Sequence, residues 1–155
     1  MYPMSLLSLL LVSGTPSTEV GRVGLDIKGN DLVIEAFEDP KVDGVTCHVA
    51  HFDRGTIEKL VHGNWFENPS NMSIACEQTG PITVHEVDTS ADGEVVFSER
   101  ASFIFKHIRI RRIVDYAHQT LVYVAYSSKV TESSAKNSLS TVSLFNTGAK
   151  LPPRK

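Results

Sequence analysis

From Val20 onward the chain is made of short apolar runs, several alternating with polar residues, separated by Gly, Pro, Asn and Asp. That is the pattern of strands and turns rather than of long helices. "VGRVGLDIK" and "DLVIEAF" flank Gly29-Asn30, a two-residue hairpin signal. Asp39-Pro40 ends the second run, because proline cannot donate to a ladder and restricts the residue before it. Asp43-Gly44 supplies turn chemistry ahead of a strand over Val45 to Ala50. "MSIACEQTGPITV" reads as strand with an interruption at Gly80-Pro81, followed by "GEVVF", "SFIFKHIRIRRIV" and "LVYVAYSSKV". The last run is apolar on both alternating sets, Leu121, Tyr123 and Ala125 against Val122, Val124 and Tyr126, so it is expected to be central and covered on both faces.

Helical periodicity is confined to two places. Asp53 can cap a helix with Ile57, Leu60 and Val61 on one face, Glu58, Lys59 and His62 on the other, and Gly63 at its end. Trp65 and Phe66 are expected to pack beneath it. A second short helix is expected to start at Ser134. The expected fold is mainly β: one antiparallel domain, sandwich- or barrel-like, with one or two short helices, over residues 18–150. Residues 151–155, within "KLPPRK", are expected to form a loose tail.

Composition changes this picture little. A chain of 155 residues with 41% hydrophobic and 21% charged residues is an ordinary single globular domain. Its net charge of −3 supplies no global basic field, so nucleic acid is not an expected partner. "MSLLSLLLV", Met4 to Val12, followed by small residues, reads as a leader cleaved near Gly14 to Ser17, although no Lys or Arg precedes Arg22. The run is too short for a membrane span, so 1–17 is expected to be a signal peptide and the mature chain to have no transmembrane segment. Cys47 and Cys76 lie in separate strand-like runs and form no CxxC motif. In an oxidising compartment they are expected to pair, and closing that loop is worth roughly 3–4 kcal/mol on the chain-entropy model.

The blocks "VIEAFEDPKVDGVTCHV", "CEQTGPI", "GEVVFSER", "FIFKHIRI", "LVYVAYSSKV" and "AKNSLSTV" occur in an order that resembles the CreA family of Gram-negative bacteria, from about Val20 to Leu144. The resemblance implies a small periplasmic protein whose leader is removed. It implies no activity and no catalytic residues. Where the family pattern has Gly-Ser-Pro-Lys-Asn this chain reads Ser133-Ser134-Ala135-Lys136-Asn137. Alanine is tolerated at a first helical position, but serine for glycine is unfavourable if the backbone there needs a positive φ.

Two patterns carry candidate chemistry. Asp88, Ser90, Asp92 and Glu99 fall at positions 1, 3, 5 and 12 of a calcium-loop spacing, with Gly93 at 6. The flanks are strand-like rather than helical, and Val96 at position 9 offers no side-chain oxygen, so a hairpin loop is the preferred reading. In "KHIRIRR", His107, Arg109 and Arg111 share one strand face, a row of cations suited to a carboxylate or phosphate. Arg112 is expected to break the alternation, through a bulge, and to find a buried partner such as Asp115. No nucleophile elbow, phosphate loop or dinucleotide fingerprint occurs, and no cofactor is expected. The leading expectation is a non-catalytic accessory or binding protein of the cell envelope, with a small anionic ligand or an envelope protein as partner. The alternative is an envelope hydrolase whose site assembles from residues distant in sequence.

Overall fold

A computed structural model describes residues 16–27, 29–53, 72–102, 106–127 and 137–155; of residues 99–102, 106 and 107 only the backbone is described. Among the described residues eight strands run in chain order: β1 (Ser17–Gly24), β2 (Asp31–Glu38), β3 (Val42–Asp53), β4 (Met72–Val84), β5 (Glu94–Ser102), β6 (Lys106–Asp115), β7 (Thr120–Ser127) and β8 (Asn137–Ser143). They form two four-stranded antiparallel meanders, β1-β2-β3-β4 and β5-β6-β7-β8. The β architecture expected from the alternation is therefore present. No helix occurs among the described residues. The segment read as helical over 54–63 lies outside them, as do Trp65 and Phe66. The helix expected from Ser134 is not formed: Asn137–Ser143 is strand β8, paired along β7, which leaves too few residues for a helical turn to propagate.

One core lies between the sheets. Phe37, Val45, Cys47, Val49 and Ile74 from the first sheet meet Val96, Phe97, Ile110, Leu121, Tyr123 and Ala125 from the second. Phe37 and Phe97 stack across the join with centroids 4.6 Å apart. β7 is central in its sheet, as expected, but only its Leu121, Tyr123, Ala125 set is fully buried. Val122, Val124 and Tyr126 face outward and are half-buried.

The turn signals act differently from their simplest reading. β1 and β2 do form a hairpin, but residues 25–30 join them, not Gly29-Asn30 alone. Asp26 shapes this wider loop by accepting from the Asn30 backbone N–H (3.2 Å) and side-chain amide (2.6 Å). Asp43-Gly44 and Gly80-Pro81 break no strand. The register jumps from Val45↔Gln78 to Asp43↔Thr83, which makes them the two sides of one bulge in the β3–β4 ladder. Gly44 is obligatory there: its φ is +79°, and an added Cβ would overlap the Pro81 carbonyl.

The two meanders also meet along an edge. The Ile74 and Cys76 amides of β4 donate to the Ser138 and Ser140 hydroxyls of β8, at 3.2 and 2.8 Å. Residues 151–155, expected to be loose, touch the body at three points. The Tyr116 hydroxyl donates to the Pro152 carbonyl (2.5 Å), Arg154 lies 4.8 Å over the Tyr116 ring, and the Lys155 amide donates to the Thr89 hydroxyl (3.1 Å).

Candidate functional site

Strand β6 sorts its arginines by parity. Ile108, Ile110 and Arg112 point into the core, while Arg109 and Arg111 point out. Arg112 keeps the alternation instead of breaking it. The bulge expected there lies on the neighbouring strand, where Val96 of β5 is the extra residue between the Val95↔Arg111 and Phe97↔Ile110 pairs. Val96 and Phe97 are both buried as a result.

Arg112 is fully buried, and its partner is Asp39, not Asp115. Its Nε donates to Asp39 Oδ2 at 2.8 Å and one Nη to Oδ1 at 3.0 Å, the forked geometry for which guanidinium and carboxylate are matched. The other Nη donates to Glu94 at 2.7 Å. Asp39 also accepts from the Tyr123 hydroxyl (2.7 Å) and the Lys41 amide (2.9 Å). Glu94 accepts from the Lys41 ammonium (2.7 Å) and the Asp88 amide (2.9 Å). The Asp-Pro break thus has a purpose beyond ending β2: it places a buried carboxylate of one sheet against a buried guanidinium of the other. Asp115 is instead engaged by His118, its Oδ2 lying 2.8 Å from the ring Nδ1.

The charges in this network respond to it. Burial, with help from neighbouring Asp39, pushes the Tyr123 hydroxyl well above its ordinary range. Burial also acts to raise Glu94, but the Lys41 and Asp88 hydrogen bonds and the Arg112 charge outweigh it and hold the carboxyl below the usual value. Gly93 completes the fit. At φ +59° its Cα passes so close to β6 that an added Cβ would overlap the Arg112 carbonyl.

The sequence-predicted residues fall into three groups. Of the cation row, Arg111 is engaged within the protein: its Nε donates to the Tyr126 hydroxyl (2.9 Å), and one Nη to the Asp92 carbonyl (3.0 Å). Arg109, two residues along the same face, is half-exposed and makes no hydrogen bond or ion pair with the described residues. Its cross-strand neighbours are Ser98 and Tyr126. The backbone of His107 lies in β6, but its side chain is outside the description.

In the acidic stretch, Asp88, Ser90 and Asp92 come together as a turn leading into β5. Asp88 accepts from the Ser90 amide (2.8 Å), and the Ser90 hydroxyl donates to Asp92 (3.1 Å). The Ser90 hydrogen bonds hold Asp88 below the ordinary carboxylate range. Glu99 is not brought to this turn at the backbone level. It lies well along β5, opposite Ile108, with a strand rise of about 3.3 Å per residue separating it from the loop. Among the described residues no three His, Cys, Asp or Glu side chains converge as a metal cage. The third group, Cys47 and Cys76, is bonded: the two face each other across β3 and β4 with Cα atoms 4.0 Å apart. The Cys76 amide goes to Ser140 rather than to β3, so this is a non-hydrogen-bonded pair, the ladder position with the closest side chains.

The Asp39–Arg112–Glu94 network was missed in the sequence, yet a signal was present. Extending the Ile108, Ile110 alternation by one step puts Arg112 inside, and an arginine inside demands a carboxylate.

Among the described residues no helix is long and apolar enough to cross a membrane. The family model described as "CreA protein" matches residues 20–147. The protein named "Protein CreA" from Escherichia coli (strain K12) is 39% identical over 150 residues, covering 91% of this chain and 94% of the relative. The proteins of the same name from Escherichia coli O6:H1 and O157:H7 match with the same identity and coverage. No solved structure matches the chain. The matched span takes in both cysteines, the Asp39–Arg112 pair and all of β2 to β8, and this chain belongs to the CreA family.

Proposed function

We propose that this CreA-family protein is a non-catalytic binding protein of the bacterial periplasm, taking an anionic group on the outward face of β6. The observation that carries the reading is Arg109, a half-exposed guanidinium beside Arg111 and Tyr126 with no partner among the described residues. A guanidinium presents a planar fork matched to carboxylate or phosphate. Arg111, held by Tyr126 and the Asp92 carbonyl and partly paired with the Asp92 carboxylate at 3.8 Å, adds a second, partly neutralised positive charge one pleat away. A non-catalytic role is supported by the state of the buried ionisable groups at the sheet junction. Arg112, Asp39, Glu94 and Tyr123 are tied to one another, which suits a structural brace better than proton transfer. Export is supported by the Cys47–Cys76 bond, since disulfides persist in oxidising compartments.

The test of the anion reading is an amide NMR titration with inorganic phosphate. Resonances of 109–111 and 126 are expected to move saturably in the native protein and to stay in place in Arg109→Glu. No movement at millimolar phosphate removes the reading. Location is checked on protein expressed with its own leader and released by osmotic shock. Non-reducing mass spectrometry is expected to find one oxidised cysteine pair and an N-terminus between residues 14 and 18. Retention of the reduced, unprocessed chain in the cytoplasm overturns export.

A further inference from the structure

At one end of the second sheet the Tyr116–Gln119 turn and the chain after β8 border an open cleft of about 530 Å³, lined by Tyr116, Gln119, Leu144, Ala149, Leu151 and Pro152. That is a volume typical of small-molecule sites. The tail that forms its far wall is a built strap rather than a stray end. A turn starts it, with the Thr147 hydroxyl donating to the Leu144 carbonyl (2.7 Å) and the Ala149 amide donating to that hydroxyl (3.2 Å). The Tyr116–Pro152 bond and the Lys155 amide fasten its other end. Pro152 and Pro153 have no N–H to give a ladder, so this stretch cannot extend the sheet as a ninth strand and close the space.

The walls are apolar below; Lys150 lines the rim, and Arg154 lies next to it, over the ring of the lining residue Tyr116. Leu144 is buried, and Ala149 and Leu151 pack against the core. Lys150 and Arg154 are exposed, and neither forms an ion pair with the described residues; Arg154 rests on the Tyr116 ring. Asp115, beside Tyr116 in sequence, pairs with His118 and not with either of them. The Gln119 side chain adds a neutral donor and acceptor on the near wall. We infer that this cleft binds a small amphiphile, its apolar body against Leu144, Leu151 and Pro152 and its anionic head toward Lys150 and Arg154. This site is separate from the outward face of β6 and does not depend on it.

The test is a titration of the full, oxidised chain, labelled for amide NMR, with decanoate and with decanol as its uncharged counterpart. Decanoate is expected to move the amides of 116–119, 144 and 149–151 saturably, and decanol to bind more weakly. Ala149→Trp fills the cleft and is expected to abolish the response. Reversing both rim charges, Lys150→Glu with Arg154→Glu, is expected to weaken decanoate about tenfold, since two solvent-exposed charge contacts are lost. Arg109→Glu is expected to leave the decanoate response of 116–119, 144 and 149–151 unchanged while removing any at 109–111, which separates this cleft from the anion site on β6. Unmoved amides at low millimolar decanoate, or a response that survives both Ala149→Trp and the charge reversal, overturn the inference. Equal binding of decanol overturns the anionic head.

Discussion

Arg109 and Arg112 stand three residues apart on one strand and live in opposite worlds. Arg112 is fully buried, with its guanidinium divided between Asp39 and Glu94, while Arg109 faces outward and touches no partner among the described residues. Nothing in residue type distinguishes them; the pleat does. A buried arginine is bound to its carboxylates because stripping water from a charge is costly unless it is paired and hydrogen-bonded. An outward one such as half-buried Arg109 keeps part of its water. Position parity therefore separates a buried brace from a surface position.

The comparison breaks first at the brace. Arg112→Met leaves Asp39 buried without its charge partner and is expected to cost about 3–5 kcal/mol in urea unfolding. Combining it with Asp39→Asn is expected to cost much less than the two single changes summed, because the pair acts as a unit. Additive losses would show that the two side chains are not coupled. Next in size is the staple: replacing Cys47 and Cys76 together by serine is expected to remove about 2–4 kcal/mol, read as a lower urea midpoint that reducing agent no longer affects. Gly93→Ala is expected to cost about 1–2 kcal/mol from the left-handed backbone alone, and more from contact with the Arg112 carbonyl.

pH tests the same brace without a mutation. Glu94 is held below its ordinary range, so its stabilising contribution is full above about pH 4.3, the unfolded value, and is lost as pH falls through the folded one. Tyr123 is pushed upward, so above about pH 10 the unfolded chain loses a proton that the folded one keeps, and stability declines with rising pH. A thermal-shift series is expected to fall at both extremes, and Tyr123→Phe to flatten the alkaline limb. The smallest effect belongs to the outward position. Arg109→Glu is expected to change stability by less than about 0.5 kcal/mol while abolishing the phosphate response. A loss as large as that of Arg112→Met would erase the distinction between the two arginines.

The strands and the cysteine pair were legible because their causes are local. Alternation marks β3, an unbroken apolar run marks β7, and two cysteines leave a single intramolecular pairing. The bulges were legible only as punctuation. Gly44 and Pro81 announced irregular backbone, but that they face each other depends on the β3–β4 register. The Asp39–Arg112 bond spans 73 positions and exists only once the two meanders stack, so no window along the chain contains it. Arg109 was legible as one of a row, but its difference from Arg111 was not. That difference comes from Tyr126 on β7 and from the Asp92 carbonyl at the start of β5.

The serine contacts of β8 have a further consequence for behaviour in a crowded compartment. A four-stranded meander ends in a row of bare amides, and such an edge invites strands of other molecules to extend it into aggregates. On β4 the Ile74 and Cys76 donors are capped by the Ser138 and Ser140 hydroxyls, so a foreign strand finds them already occupied. Two hydroxyl groups thus serve as guards on that border, occupying donors that a foreign strand would need.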